Sequence, residues 1–548
     1  KIKTLFQLKK YEELKRLIRR KNKLNIRDAE IKEIAVELGA HAAGDTKFFR
    51  KYVLEYPADL RKQILDESLN LCLKTDEIKT IDKVIGMLPG FNADYQQSLR
   101  DVLMAVINDK VKKNIQAKDY LELYRKHVIL LDAARQTETL TELLHYYLAI
   151  NDIINIIDTI CNILIVDANN VHIKIISSIL SEFMPDQKQK REVIAILNCY
   201  MSRINTPKIK NILLNEIEIL EKKVKLSSKP REIAVVLTTD CNLKCVMCNV
   251  CKNKYYISDI LIEYIKKSMP YLEKIVWQGG EILLYKNIKD LLHLACKYNV
   301  EQRILTNGLL LDENKIKFIY ENKIALSISI DAADKDKYEQ IRTGADYNKL
   351  IEVLSKIREM NFLEADIDYT MPVVVMSKNY KDIEKLVDFA VKYGFRSIYF
   401  QKYIGDAKNP LSLNEQQEIE VVDKINSLIN KKLPIYINTN LVKPFEKNIN
   451  IPKPQEESKD NRVRQTENAK SDKLFCLAPW KTIFFDIDGQ TGFSCYCDRV
   501  SVEGDLWNSD SIIKYRQSIL DNALFKCCNV KCRNAGDDGR FIRKMGMT

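Results

Sequence analysis

Histidine is scarce in this 548-residue chain: there are five, and only His293 lies beyond residue 172. That excludes Cys/His zinc fingers, and most histidine-based acid–base chemistry, from the C-terminal half. Glycine and proline are also few, at 16 and 13 residues. With 46% hydrophobic and 30% charged residues, collagen-like repeats and wholesale disorder are ruled out. The chain has no uncharged apolar run of about 18 residues, the length that signals a membrane span. Its Ile-rich stretch 146–180 is broken by Asp152, Asp158 and Asp167 and reads as buried helix. No basic-then-apolar opening segment points to secretion, so a cytoplasmic location is expected, with no membrane partner. A Walker A loop, a GxGxxG fingerprint and a serine nucleophile elbow are missing too.

What the chain does have is 14 cysteines, unevenly placed. Cys72, Cys161 and Cys199 are scattered through the first 225 residues. Cys241, Cys245, Cys248 and Cys251 crowd one short segment, Cys296 stands alone, and Cys476, Cys495, Cys497, Cys527, Cys528 and Cys532 gather near the C-terminus. Clustered cysteines in a large chain without a secretion signal read as metal ligands rather than disulfides. Thiolates without histidine suit iron–sulfur clusters or Cys-only zinc sites. The scattered four are expected to be core thiols. The net charge of +12 is concentrated at the start, where residues 1–50 hold 14 Lys/Arg against 7 Asp/Glu. That basic helix could touch acidic partners, but a solvated face explains it, so nucleic acid is not the expected partner.

The pattern divides the chain into four stretches. Residues 1–228 show apolar residues at helical spacing in Tyr120–Ala134, Glu138–Ile150 and Val193–Met201, which predicts an all-α domain, solenoid or bundle, suited to a protein or substrate partner. Over 229–410, six β-rich runs alternate with helices: Ile233–Thr239, Lys274–Trp277, Gln302–Leu305, Ile324–Ile330, Asp366–Val375 and Ser397–Gln401. Such alternation predicts parallel strands in a partial (β/α)6 barrel. One long helix is expected over Lys335–Glu359. Residues 411–472 read as a helix, a strand at Leu433–Ile437 and a flexible linker. Residues 473–548 read as a small Cys-rich α+β domain led by a hairpin, with Ile483–Asp486 and Gly492–Cys495 flanking Asp488-Gly489.

The chemistry-bearing motifs follow the predicted strands. Cys241, Cys245 and Cys248 form a CxxxCxxC after the first. Three thiolates in one loop can hold three corners of a four-iron cluster and leave one iron open; a closed four-Cys site using Cys251 is the other reading. Gly279-Gly280-Glu281 follows the second strand, where glycines allow close backbone approach to a ligand and Glu281 offers an acceptor for an amino group. Thr306-Asn307-Gly308 follows the third, and Ser329 and Asp331 end the fourth. Arg342, in Tyr338-Glu339-Gln340-Ile341-Arg342, could pair a carboxylate bidentately. Gln401, Lys402 and Tyr403 end the sixth strand and could line a pocket.

In this order and spacing, residues 231–405 resemble the radical S-adenosylmethionine (SAM) enzymes. The resemblance implies that Cys241, Cys245 and Cys248 ligate a [4Fe–4S] cluster whose open iron binds SAM. Gly279, Gly280 and Glu281 then meet the SAM amino group, Ser329 and Asp331 lie near its ribose, Arg342 near its carboxylate, and Asn307 in the same cofactor site. Met247 stands where many members have an aromatic residue, and Ile282 where a proline often follows. The implied chemistry is one-electron cleavage of SAM to methionine and a 5′-deoxyadenosyl radical, which abstracts a substrate hydrogen. An anaerobic setting and a flavodoxin- or ferredoxin-type electron donor go with it. The C-terminal cysteines, with Cys476-Leu-Ala-Pro-Trp480 and Gly504-Asp-Leu-Trp507, resemble the family's SPASM or twitch extension. That resemblance implies an auxiliary [4Fe–4S] cluster on Cys476, Cys495, Cys528 and Cys532. Cys497 and Cys527 are alternative ligands, and a zinc knuckle is the competing reading.

The expected function is therefore that of an oxidoreductase-type radical SAM enzyme. The small cysteine count of the extension points to a small alcohol, sugar or cyclitol as substrate. The alternative is oxidation, crosslinking or maturation of a ribosomally made peptide or protein. No residue is identified as a general base.

Overall fold

The structure, a computed structural model, describes residues 78–85, 95–112, 117–167, 173–182, 187–248, 254–406, 408–439, 473–486, 490–492, 500–501, 505–521 and 542–545. The basic N-terminal helix, Cys72, the polar stretch 447–472, and Cys251, Cys495, Cys497, Cys527, Cys528 and Cys532 lie outside the described residues. The chain forms two compact units, Lys1–Ile176 and Ser177–Thr548.

The described part of the first unit is helical. It contains α1 (Ile78–Ile85), α2 (Tyr95–Ala105), α3 (Ala117–Val128), α4 (Ala133–Ala149) and α5 (Ile153–Val166). The stretch Tyr120–Ala134 is broken between α3 and α4, where Asp132 caps α4 by accepting from Arg135 N at 3.0 Å. α5 buries Ile156, Ile157, Ile160, Cys161, Ile163 and Leu164. Cys161 is thus the core thiol expected. α6 (Ile173–Glu182) spans the boundary between the units, and α7 (Gln187–Met201) and α8 (Pro207–Leu220) follow. Cys199 is exposed, contrary to expectation, because it falls beside the buried stripe of Val193, Leu197 and Tyr200 on α7.

Strands and helices then alternate. The series is β1 (Glu232–Val236), α9 (Asp259–Ser268), β2 (Lys274–Gln278), α10 (Ile288–Lys297), β3 (Glu301–Thr306), α11 (Glu313–Glu321) and β4 (Ala325–Ile328). It continues through α12 (Lys335–Ile341), α13 (Tyr347–Glu359), β5 (Tyr369–Val375), α14 (Ile383–Lys392), β6 (Ser397–Lys402), α15 (Glu415–Ile429) and β7 (Tyr436–Thr439). All six expected runs are strands, and β7 supplies the strand expected near 433–437. The helix expected over Lys335–Glu359 is two. Gly344 takes φ +91°, a left-handed conformation open to glycine without strain. Asp346 then caps α13, accepting from Asn348 N at 2.9 Å. The break leaves Arg342 at the open end of α12.

The C-terminal part adds β8 (Lys473–Cys476), α16 (Ala478–Lys481), β9 (Thr482–Phe485), β10 (Gln490–Gly492), β11 (Val500–Ser501), α17 (Asp510–Leu520) and β12 (Ile542–Met545). β9 does not stand apart from the barrel. It pairs parallel with β1, in register Val235↔Phe485. The sheet order is β11-β10-β9-β1-β2-β3-β4-β5-β6-β7. From β9 to β7 every neighbouring pair is parallel. β7 and β9 thus extend the six expected strands on both flanks. β10 turns back antiparallel on β9, the hairpin expected there. β8 and β12 form a separate two-stranded sheet.

A buried ion cluster pins the N-terminal ends of these strands. Arg231, just before β1, donates to Glu216 of α8 at 2.5 Å and also pairs with Glu273, just before β2. Lys481, just before β9, reaches the same Glu216 carboxylate at 3.0 Å. Ser177 Oγ donates to Glu216 at 2.6 Å. Glu216 is fully buried and both cations nearly so. Two cations against two carboxylates balance the charge, which such burial requires. Glu216→Gln removes the buried carboxylate that Arg231 and Lys481 share, and is expected to cost about 3–5 kcal/mol. Glu221→Gln, which removes an exposed partner of Lys223, is expected to cost under about 1 kcal/mol. The shift in urea denaturation midpoint of each variant checks the contrast.

Candidate functional site

The loop after β1 has little regular structure of its own, so its shape comes from its neighbours. Gly280 N donates to Thr238 O, and Glu281 N to Asp240 O, both at 2.7 Å. Val246 N donates to Ile341 O and Lys244 N to Thr343 O, both at 2.9 Å. Asn307 Nδ2 donates to Asn242 Oδ1 at 2.8 Å. The Cys loop is therefore tied to the ends of β2, β3 and α12. Gly279 and Gly280 are needed for the first of these ties. A Cβ on Gly279 would stand 2.4 Å from Thr238 O, and one on Gly280 2.4 Å from Asp240 O. Both contacts are with backbone, which cannot swing away.

Glu281 and Asp331 take places the motifs did not suggest. Glu281 is fully buried. Its carboxylate accepts from Thr306 Oγ1 at 2.8 and 2.9 Å, Asn307 N at 2.8 Å and Leu283 N at 3.2 Å. Burial pushes its pKa up, and these donors oppose the shift. Glu281 thus binds the β2 and β3 ends together from behind the site. Asp331 is also fully buried, accepting from Val374 N at 2.8 Å and facing Arg342 at 2.7 Å. Burial raises the Asp331 pKa, while Arg342 pulls it down. Burial likewise disfavours the Arg342 charge, but Asp331 and Cys245 outweigh it and the guanidinium pKa is raised. Asn379, which no sequence signal marked, donates to both Asp331 O and Val374 O at 2.9 Å. It locks β5 against the end of β4.

A cavity of about 1000 Å³ opens at the C-terminal ends of the strands. Cys241, Cys245, Cys248, Gly279, Gly280, Asn307, Ser329 and Arg342 all line it. Glu281 and Asp331 do not; they stand one layer behind. Gln401, Lys402 and Tyr403 are not brought to it either: Lys402 pairs with Glu418 and Tyr403 is buried elsewhere. Phe484 and Asp486 line it unexpectedly. The sequence reading put both in a separate hairpin, and no local signal shows that β9 joins β1.

Cys241, Cys245 and Cys248 share one wall of the cavity, a donor set that suits a four-iron cluster in which each thiolate takes a different iron and the fourth iron stays open. Cys241 Sγ accepts from Leu243 N at 3.4 Å and Asn307 Nδ2 at 3.9 Å, and such bonds stabilise a thiolate. Burial pushes the Cys245 thiol up to about 11, partly offset by Arg342. Cys476, the one auxiliary candidate among the described residues, is half-buried in β8. In cluster-free protein, Cys245 therefore stays a thiol at pH 8, whereas Cys199 and Cys248 are exposed. Iodoacetamide at pH 8 is expected to alkylate Cys199 and Cys248 well ahead of Cys245, as read by peptide mass spectrometry.

Comparison with known proteins gives the site its context. AlbA, an antilisterial bacteriocin subtilosin biosynthesis protein of Bacillus subtilis, is 28% identical over 120 residues, covering 21% of this chain and 27% of AlbA. A cysteine-type anaerobic sulfatase-maturating enzyme of Clostridium novyi is 26% identical over 219 residues, covering 35% of this chain and 57% of that enzyme. The chain thus spans about a quarter of one relative and just over half of the other. The crystal structure of Streptococcus suis SuiB aligns at a TM-score of 0.44 and 16% identity, over 66% of this chain and 83% of SuiB. Residues 235–390 match the Radical SAM superfamily. That match takes in every element that contributes a cavity residue except β9, and residues 235–390 form a radical SAM domain.

Proposed function

We propose that Cys241, Cys245 and Cys248 hold the superfamily's [4Fe–4S] cluster, and that the chain uses it with SAM to modify a peptide or protein. The observation that carries this reading is the shared wall: all three thiols, the Gly279-Gly280 backbone, Asn307, Ser329 and Arg342 face one cavity. When bound, the reduced cluster supplies the electron that cleaves SAM to methionine and a 5′-deoxyadenosyl radical. The chain's own part is to bind, orient and exclude. Gly279 and Gly280 let a polar ligand approach their backbone closely. Arg342, held charged by Asp331, offers its guanidinium to a carboxylate. Ser329 offers a hydroxyl to a sugar. Glu281 and Asp331 act as positioning residues, because neither reaches the cavity.

The cavity's volume lies at the upper end of small-ligand pockets, about 300–1000 Å³, which supports room for substrate beside SAM. The small alcohol, sugar or cyclitol expected first gains nothing from the relatives described above. The peptide alternative does: one is named for bacteriocin biosynthesis, the other for maturing a sulfatase, itself a protein. An auxiliary [4Fe–4S] cluster including Cys476, an electron donor of the flavodoxin or ferredoxin type, and the domain bounds 1–228, 229–410, 411–472 and 473–548 belong to the same proposal.

Protein reconstituted anaerobically, then given dithionite and SAM, is expected to release 5′-deoxyadenosine. Replacing Cys241, Cys245 and Cys248 with Ala should abolish that release while leaving about four of roughly eight irons bound. Intact, iron-loaded protein that makes no 5′-deoxyadenosine overturns the enzyme reading. Four irons with one zinc in the wild type would instead assign the C-terminal cysteines to zinc.

A further inference from the structure

Two backbone bonds fix where Arg342 stands relative to the thiols. Lys244 N donates to Thr343 O and Val246 N to Ile341 O, both at 2.9 Å. The two segments therefore run antiparallel, and the residues between the bonds, Cys245 and Arg342, lie directly opposite each other. In an antiparallel pair such positions bring side chains closest together. Both residues line the cavity.

The protein alone does not satisfy Arg342. Its side chain is 7% exposed, and it faces the fully buried Asp331 at 2.7 Å. Its Nε is buried without a hydrogen-bond partner, an arrangement that costs free energy unless a further group arrives. Among the described residues lining the cavity Arg342 is the sole cation, and Asp331 is not part of that wall. The pair thus turns its positive end toward Cys245 and its negative end away. The surrounding lining includes Leu243, Leu305 and Val374, so the charge is poorly screened there.

A [4Fe–4S] cluster becomes one unit more negative when it is reduced, and nearby charge and hydrogen bonds set how readily that happens. We infer that Arg342, backed by Asp331, sets the reduction potential of the cluster held by Cys241, Cys245 and Cys248, its charge favouring the reduced form. This rests on the cluster reading above and deepens it, giving Arg342 a task that precedes SAM. The step is a one-electron reduction with an external donor, and no bond forms or breaks. Asp331 limits the effect, so the potential lies between that set by an unopposed cation and that set by none.

The test measures the midpoint potential of reconstituted full-length protein without SAM, by mediated dithionite titration read by electron paramagnetic resonance. The variant with Ala at Cys241, Cys245 and Cys248 supplies the signal of any C-terminal cluster, which is subtracted. Arg342→Gln is expected to lower the midpoint. At the wild-type midpoint its reduced-to-oxidised ratio should fall at least about tenfold, which is about 59 mV for one electron. Arg342→Lys keeps the charge and should recover most of that shift, whereas Asp331→Asn should raise the midpoint. Melting temperature and iron content show that each variant is folded and loaded. An unmoved midpoint in Arg342→Gln overturns the inference, even if SAM binds more weakly, because Arg342 then serves the SAM carboxylate alone. Midpoints that fall in both Arg342→Gln and Asp331→Asn overturn it too, since a disturbed loop rather than charge explains them. Should Arg342→Gln load no iron, Asp331→Asn decides, and a midpoint that does not rise overturns the inference. If the variant with Ala at all three cysteines binds as much iron as wild type, the cluster reading itself fails and takes the inference with it.

Discussion

Nothing in the candidate site holds its own shape. The Cys241–Cys248 loop depends on backbone hydrogen bonds from Gly280 to Thr238, from Glu281 to Asp240 and from Lys244 to Thr343, and on the side-chain bond from Asn307 to Asn242. The partners from β2 and β3 depend in turn on a single buried carboxylate. Glu281 accepts from Thr306, Asn307 and Leu283 at once, so it fixes the spacing between the ends of β2 and β3. A buried carboxylate is tolerated only when donors of this kind surround it. The three thiols are thereby held on one wall of the cavity.

Much of this was readable in the sequence because its signals are local. A thiol triplet, a glycine pair and an Asp after a strand each have short spacing, and each sits at the end of an apolar run of strand length. The six strands follow from period and composition in the same way. The roles of Glu281 and Asp331 were not readable. A motif says which residue follows a strand, not whether its side chain turns to the cavity or away from it. That choice is made by Thr306, Asn379 and Arg342, which come from other strands and helices. The break at Gly344 was missed because one glycine in a helical pattern is an ordinary cost, and only its left-handed φ shows it to be a stop.

The largest difference lies in the C-terminal part. Local pattern showed a hairpin and a group of cysteines, which read as a separate small domain. The structure inserts β9 beside β1 and fixes its start through Lys481 and Glu216. The ion cluster that includes Arg231 and Glu273 therefore ties the first strand, the second strand and the last parallel one to α8. No sequence window contains such a contact, because its members are spread over residues 216–481.

That spread has a consequence for how the chain reaches its native state. β1 and β2 pair across about forty residues of chain, Val235 with Trp277, whereas β9 must close a loop of nearly 250 residues to reach β1. Loop-closure entropy places such a long-range contact late in folding. During synthesis, the cysteine loop and its stitching are complete while one wall of the cavity is still missing. Until that final strand docks, the three thiols are reachable from the β9 side.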